Sequence, residues 1–182
     1  MILPIVAYGD TVLRKVGEEV TANYEGLQEL IANMWETMYH AHGVGLAAPQ
    51  VGKAINMFII DTTSFEEEKY PNLKKVFINA EIIDEWGEEW AFEEGCLSIP
   101  TIREDVYRWS NIAIKYQDEN FVWHEEEYDD VAARVIQHEY DHVKGKLFVD
   151  YLSPLKKRLL KNKLVNISKG GAHTDYKMRL PR

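Results

Sequence analysis

The sequence predicts an α+β fold. Antiparallel strands pack around a central helix that carries an H-E-x-x-H pattern, with one helix before the strands and a basic helix after them. Three observations carry this. Leu27, Leu30, Ile31, Met34 and Met38 recur at helical spacing near the start. Between residues 55 and 126, apolar β-branched runs of strand length alternate with turn residues. Two later stretches, 129–144 and 153–167, return to helical spacing. Strands grouped in one run with helices outside it make α+β rather than alternating βαβ units.

The elements follow in order. The opening Met1-Ile2-Leu3-Pro4-Ile5-Val6 is apolar, short and without a basic flank, so it reads as a strand or extended segment and not as an export signal. Residues 22–42 form the first helix, with Thr21 or Asn23 able to cap its start and Gly43 ending it; its Met and Trp residues read as core. Residues 55–61 and 76–84 are strands, and 88–92 pairs back on the latter across Glu85-Trp86-Gly87. Residues 106–109, 112–117 and 121–126 form a meander, turning near Ser110-Asn111 and Asp118-Glu119-Asn120. Helix 129–144 is closed by Gly145, and helix 153–167 sets Leu155, Leu159, Leu160 and Leu164 on one side. Residues 64–75, acidic and containing Pro71, are an insertion-like loop that either covers a site or is passive. No repeat, low-complexity linker or boundary interrupts the chain, so residues 1–182 are expected to form a single domain.

Composition sets limits on function. A chain of 182 residues with 46% hydrophobic content can bury a proper core. No run approaches the roughly 18 apolar residues of a membrane span. Cys96 is the only cysteine, which excludes an intrachain disulfide and, with no export signal, points to a cytoplasmic location. The net charge of −9 hides an asymmetry: residues 153–182 hold nine Lys and Arg and one Asp, while the remainder holds 12 basic and 29 acidic side chains. The acidic stretches at 81–94 and 125–130 read as solvated faces and loop tips. An acidic body of this kind is not a DNA-binding surface.

His138 and His142 stand in Gln137-His138-Glu139-Tyr140-Asp141-His142. Positions i and i+4 share a helix face, so two imidazoles one turn apart can grip one metal ion. Glu139 adjoins the first of them, where its carboxylate reaches a water on the metal rather than the metal itself. Two histidines leave a catalytic metal one protein ligand short. The later histidine, His173, lies in a Gly-rich tail; upstream stands Cys96 in Glu94-Gly95-Cys96-Leu97-Ser98-Ile99-Pro100. An isolated Cys is more often a small buried hydrophobe than a ligand. A third segment, Gly43-Val44-Gly45-Leu46-Ala47-Ala48-Pro49-Gln50, is no phosphate loop, since it lacks the Gly-Lys-Ser/Thr ending. Its glycines let a backbone approach something closely, and Gln50 can donate a hydrogen bond to a developing oxyanion.

These three segments, in this order, resemble the peptide deformylases, whose motifs are G-x-G-x-A-A-x-Q, E-G-C-L-S and H-E-x-D-H. The resemblance covers most of the chain, as far as Leu147-Phe148-Val149-Asp150-Tyr151-Leu152. It implies an α+β fold and a hydrolase that removes the formyl group from the N-terminal Met of newly made polypeptides. It implies that Cys96, His138 and His142 bind one metal, that Glu139 is general base and acid, and that Gln50 and the Leu97 backbone N–H form the oxyanion hole. The donor set suits Fe(II), Zn(II), Co(II) or Ni(II); the resemblance implies Fe(II) as the native ion and Zn(II) as a substitute.

Substrate contacts are expected from the backbone of residues 43–46, including Val44 and Gly45, pairing with an extended peptide. Val131 and Val135, on the His138 face of its helix, either line a pocket with Val44 for the Met side chain or are simply core. Arg103 stands where deformylases carry an Arg seven residues after the Cys; it either holds the peptide backbone or is a surface charge. His40, His42, His124 and His173 match no motif and read as non-ligands. Two rivals stand beside this reading. An ordinary metalloprotease would need a third ligand beyond the helix, and a structural metal would be closed by four protein ligands and leave Glu139 without a purpose. The basic helix reads as a packing element with a solvated face, or as a dock for anionic ribosomal RNA.

Overall fold

The structure, a computed structural model, describes residues 1–65 and 69–182. In chain order the elements are β1 (Ile5–Val6), α1 (Leu27–His40), β2 (Gly45–Ala47), β3 (Met57–Asp61), β4 (Lys74–Cys96), β5 (Ile99–Gln117), β6 (Trp123–Asp129), α2 (Asp130–Val143), α3 (Pro154–Ser168) and β7 (Met178–Arg179). Strands β2 to β6 form one antiparallel sheet in sequence order, while β1 and β7 pair in parallel as a separate two-stranded sheet. The fold is the α+β arrangement the sequence predicts.

Strand alternation explains how the sheet takes a helix on each face. Along β3, Phe58 and Ile60 join the cluster of Phe77, Tyr116, Ala132, Ala133 and Ile136 against α2. Met57 and Ile59 face the other way, into the cluster of Leu30, Ile31, Met34 and Met38 from α1. Phe77 stacks between Phe58 and Tyr116, with ring centroids 4.7 and 4.3 Å away. A third cluster seats Leu160, Leu164 and Ile167 of α3 on Ile99, Ile102 and Val106 of β5.

The first helix is shorter than 22–42. It enters through Gly26 in the left-handed region, φ 75°, and its C-terminus is closed by His42, φ 57°, with the Gly43 N–H bonded to the Met38 carbonyl at 2.9 Å. The left-handed closing residue is thus His42, one before the expected glycine.

The larger departure is in the strands. Glu85-Trp86-Gly87 is not a hairpin turn, and Ser110-Asn111 is not one either. They lie opposite each other in one continuous β4–β5 ladder, with Trp86 paired to Asn111 and a register shift before Glu89 meets Trp109. Gly87, at φ 91°, absorbs the extra residue of a bulge, and a Cβ there would stand 2.2 Å from Ser110 Oγ. Composition alone marks a bulge and a turn alike, because both need glycine or a small polar residue. The turn at 118–120 is where expected, closed by Phe121 N–H to the Asp118 carbonyl at 2.9 Å. The true β4–β5 turn is Leu97-Ser98, so the tip of the longest hairpin carries Cys96.

The leucines of α3 do not share one side. Leu160 and Leu164 are buried, whereas Leu155 and Leu159 are 61% and 71% exposed. Residues 160, 164 and 167 follow the i, i+4, i+7 stripe that meets β5, which turns 155 and 159 toward solvent. No helix among the described residues is long and apolar enough to cross a membrane.

Candidate active site

Helix α2 runs beneath β2 with His138 and His142 one turn apart, their ring centroids 5.2 Å from each other. The hairpin tip brings Cys96 to the same place, its Sγ 3.4 Å from His142 Nε2. Ligand atoms of Cys96, His138 and His142 all lie within 4.8 Å of one another, the one such group of metal-ligating side chains among the described residues. Cys96 and His138 line a cleft of about 650 Å³, with His142 buried behind them; its lining also includes Val44, Gly45, Gln50, Arg103, Val135 and Glu139.

The site fits a divalent cation. One sulfur and two imidazoles, borderline-soft donors, converge with no fourth Cys, His, Asp or Glu ligand in the group among the described residues. Burial, then the neighbouring charges of His138 and Arg108, hold His142 well below its ordinary pKa, so it is neutral and able to ligate. Burial works against a proton on His138 as well, yet hydrogen bonds to Cys96 and Glu94 outweigh it and raise its pKa. Surroundings that draw a proton to this ring would draw a cation.

Glu139 is buried beside this group and is not one of its ligands. Its Oε2 has no hydrogen-bond partner among the described residues. Burial pushes its pKa up to about 7, and repulsion from Glu94 adds to the rise against the attraction of His138. A carboxyl poised there can take and give a proton near neutrality. Gly45 explains how it fits, since a Cβ at that position would stand 2.5 Å from Glu139 Oε1.

Gln50 lies in the short 3-10 turn Ala48–Val51, its Oε1 accepting from Ala47 N–H at 3.0 Å. The fixed amide directs Nε2 to Ser98 Oγ at 3.2 Å and Cys96 Sγ at 3.4 Å. Leu97 follows Cys96 directly in the turn. Arg103 lines the cleft but is half-exposed and paired with Glu93 at 2.9 Å. Val44 and Val135 line the cleft, while Val131 does not; it packs against the α2 core cluster, one turn too far along the helix. His42 and His173 reach the cleft wall without joining the ligand group, and His124 pairs with Asp118 at 2.7 Å. Phe65 also lines the cleft; the expected loop 64–75 includes residues 66–68, which lie outside the described residues.

A family profile described as polypeptide deformylase matches residues 2–158. The chain belongs to the peptide deformylase family. It is 58% identical to the peptide deformylase of Christiangramia forsetii, over all of this chain and 97% of that protein. It superposes on the crystal structure of a peptide deformylase from Legionella pneumophila with a TM-score of 0.83 at 39% identity, covering 96% of this chain and 99% of that one. The class I type b peptide deformylase of Acinetobacter baumannii, solved with Met-Ala-Ser bound, matches with a TM-score of 0.77 at 33% identity over 84% of this chain and 99% of that one. Peptide deformylases are metalloenzymes that act as hydrolases, and the Cys/His/His group is a possible metal site in this member of the family.

Around that group lies a shell that motif reading did not assign. Glu94 Oε1 is 2.8 Å from His138 Nδ1, which fixes the ring and leaves its other nitrogen for the site. Arg108 grips Glu94 with two hydrogen bonds, 2.8 and 3.0 Å, and reaches Asp141 at 2.7 Å. Arg134 adds a contact to Glu94 at 2.9 Å and lies over the Trp90 ring, 4.9 Å from its centroid. All four side chains are at most 10% exposed. Two guanidiniums and two carboxylates balance, and this is what permits them to be buried. Glu94 and Asp141 stood in the quoted motifs, so a search for a carboxylate behind a histidine would have found them. Arg134 signals itself only as a charge inside the short apolar run of residues 131–136. Arg108 gives no sequence signal.

Proposed function

We propose that the chain removes the formyl group from the N-terminal methionine of newly made polypeptides in the cytoplasm, using one divalent metal held by Cys96, His138 and His142. The observation that carries this reading is the convergence of one thiol and two imidazoles beside a buried carboxyl, whose Oε2 has no partner among the described residues, in a peptide-sized cleft. Fe(II) is the proposed native ion, with Zn(II), Co(II) and Ni(II) as substitutes. A divalent cation there would supply the positive charge that lowers the pKa of water toward about 7.

The residues then divide the work. Glu139 accepts a proton from the attacking water and delivers it to the amine nitrogen of methionine as the formyl C–N bond breaks and formate leaves. Gln50 and the Leu97 N–H donate to the formyl oxygen as negative charge grows on it, each such donor being worth roughly 3 kcal/mol. The backbone at Val44 and Gly45, where the edge strand β2 begins, holds the peptide as an added strand; the Acinetobacter relative was solved with the tripeptide Met-Ala-Ser bound. Val44 and Val135 border the methionine side chain, and Arg103 stands by the emerging peptide. Helix α2, the β4–β5 hairpin and the strap before β7 converge on this one site, which supports reading residues 1–182 as one domain. Formyl-Met-Ala-Ser should release formate while acetyl-Met-Ala-Ser stays intact; cleavage of an internal peptide bond would favour an ordinary metalloprotease.

The basic α3 is a proposed dock on the ribosome. Lys157, Arg158, Lys161 and Lys163 are exposed and Lys156 is paired with Glu104 at 2.9 Å, beside the exposed Leu155 and Leu159. Charge reversal at Lys157, Arg158, Lys161 and Lys163 should abolish cosedimentation with ribosomes at low salt and leave hydrolysis of formyl-Met-Ala-Ser unchanged. Cosedimentation that survives would reduce α3 to a packing element.

A further inference from the structure

After α3 the chain turns at Gly170, φ 81°, and Gly171, where a Cβ would stand 2.0 Å from Asn166 Oδ1. It then runs back to the active site. His173, Thr174, Asp175 and Tyr176 line the cleft, although the family profile ends at residue 158. The strap is held in place beyond the cleft: β7 pairs with β1 through Ile5 N–H to Lys177 O and Ala7 N–H to Arg179 O, both 2.9 Å.

This small sheet grips the turn that carries the site. Tyr8 N–H, just after β1, donates to the Ser98 carbonyl at 2.9 Å. The Tyr176 hydroxyl, just before β7, donates to the Leu97 carbonyl at 2.8 Å. Adjacent carbonyls of a two-residue turn are therefore held from outside by adjacent strands, while Gln50 holds Ser98 Oγ from inside. Thr174 Oγ1 donates to the Tyr176 carbonyl at 2.6 Å and stiffens the strap at that point.

We propose that the strap of residues 172–177 is a working wall of the cleft, and that Tyr176 is a positioning residue: it fixes the Leu97–Ser98 peptide plane and, through the Leu97 Cα, restrains the preceding plane that carries the Leu97 N–H in the orientation deformylation uses. The proposal rests on the deformylase reading above. Leu97 is fixed on one side by Cys96 and on the other by its carbonyl. Without the phenol hydroxyl the Leu97–Ser98 plane is held only at its Ser98 end, so the turn loosens about the Leu97 Cα and the N–H one peptide earlier loses its aim while Cys96 keeps its place.

Tyr176→Phe keeps the ring and removes only the hydroxyl. The kcat for formyl-Met-Ala-Ser should fall about five-fold, the value of one ordinary hydrogen bond, with KM within about two-fold of the unaltered chain. Metal content and Tm should not change, and in the metal-free protein the Leu97 amide resonance should shift while those of α2 stay. Unchanged kcat would overturn the proposal. So would a loss of kcat that merely tracks lost metal or a lower Tm, which would make Tyr176 structural. Failure of the unaltered chain to release formate would instead overturn the deformylase reading, so the two failures are distinguishable.

Discussion

Glu139→Gln should lose at least about 100-fold in the rate of formate release and keep its metal, because the substitution removes a proton carrier and not a ligand. Its stability should behave unlike that of an ordinary buried substitution. Burial disfavours the ionised form of Glu139, and one of its oxygens has no partner among the described residues. A neutral amide of the same shape relieves that desolvation, so the Tm should stay level or rise while activity collapses. The measurement is a pair, single-turnover kinetics and thermal unfolding on the same metal-loaded samples. Loss of metal together with activity would place Glu139 among the ligands and sink its assignment as base.

Glu94→Ala should be the most destabilising change near the site. It strips Arg108 and Arg134 of their shared carboxylate, leaving the buried Arg108 with Asp141 and the buried Arg134 with only the backbone carbonyls of Trp90 and Val106. Breaking a buried pair from one side costs about 3–5 kcal/mol, or about 10 °C in Tm for a chain of this size. The same change frees the His138 ring, which should weaken metal binding about 10- to 100-fold. Thermal unfolding of the metal-free protein separates the two effects, since the fall in Tm should persist without metal. A metal-free Glu94→Ala protein as stable as its parent would show that the buried quartet contributes nothing net.

What the sequence made legible, and what it hid, follows from how far apart the interacting residues are. His138, Glu139 and His142 are spaced by one helical turn, so their convergence could be read locally. Cys96 could be tied to them only through the resemblance, because the contact depends on a hairpin whose turn lies at Leu97-Ser98. That turn has no glycine, whereas Gly87 and Ser110-Asn111 carry turn-like composition and form a bulge. Pattern reading therefore placed the reversal about ten residues early, although it placed α2 and α3 within a residue or two. The Glu94 network and the Tyr176 contact join residues 14 to 79 positions apart. No periodicity encodes such pairs; they exist only once β4, β5, α2 and the strap are assembled. Val131 takes the second of its two readings, core: it shares the His138 face but lies a turn too far along it to reach the cleft.

The central claim is that one metal ion on Cys96, His138 and His142 makes this fold a deformylase. The most direct measurement is formate release from formyl-Met-Ala-Ser as metal-free protein is titrated with Fe(II) under nitrogen. Activity should start near zero, rise linearly and stop at one ion per chain, and Cys96→Ser should show no such break. Full activity without metal, or a rise unaffected by Cys96→Ser, would contradict the account.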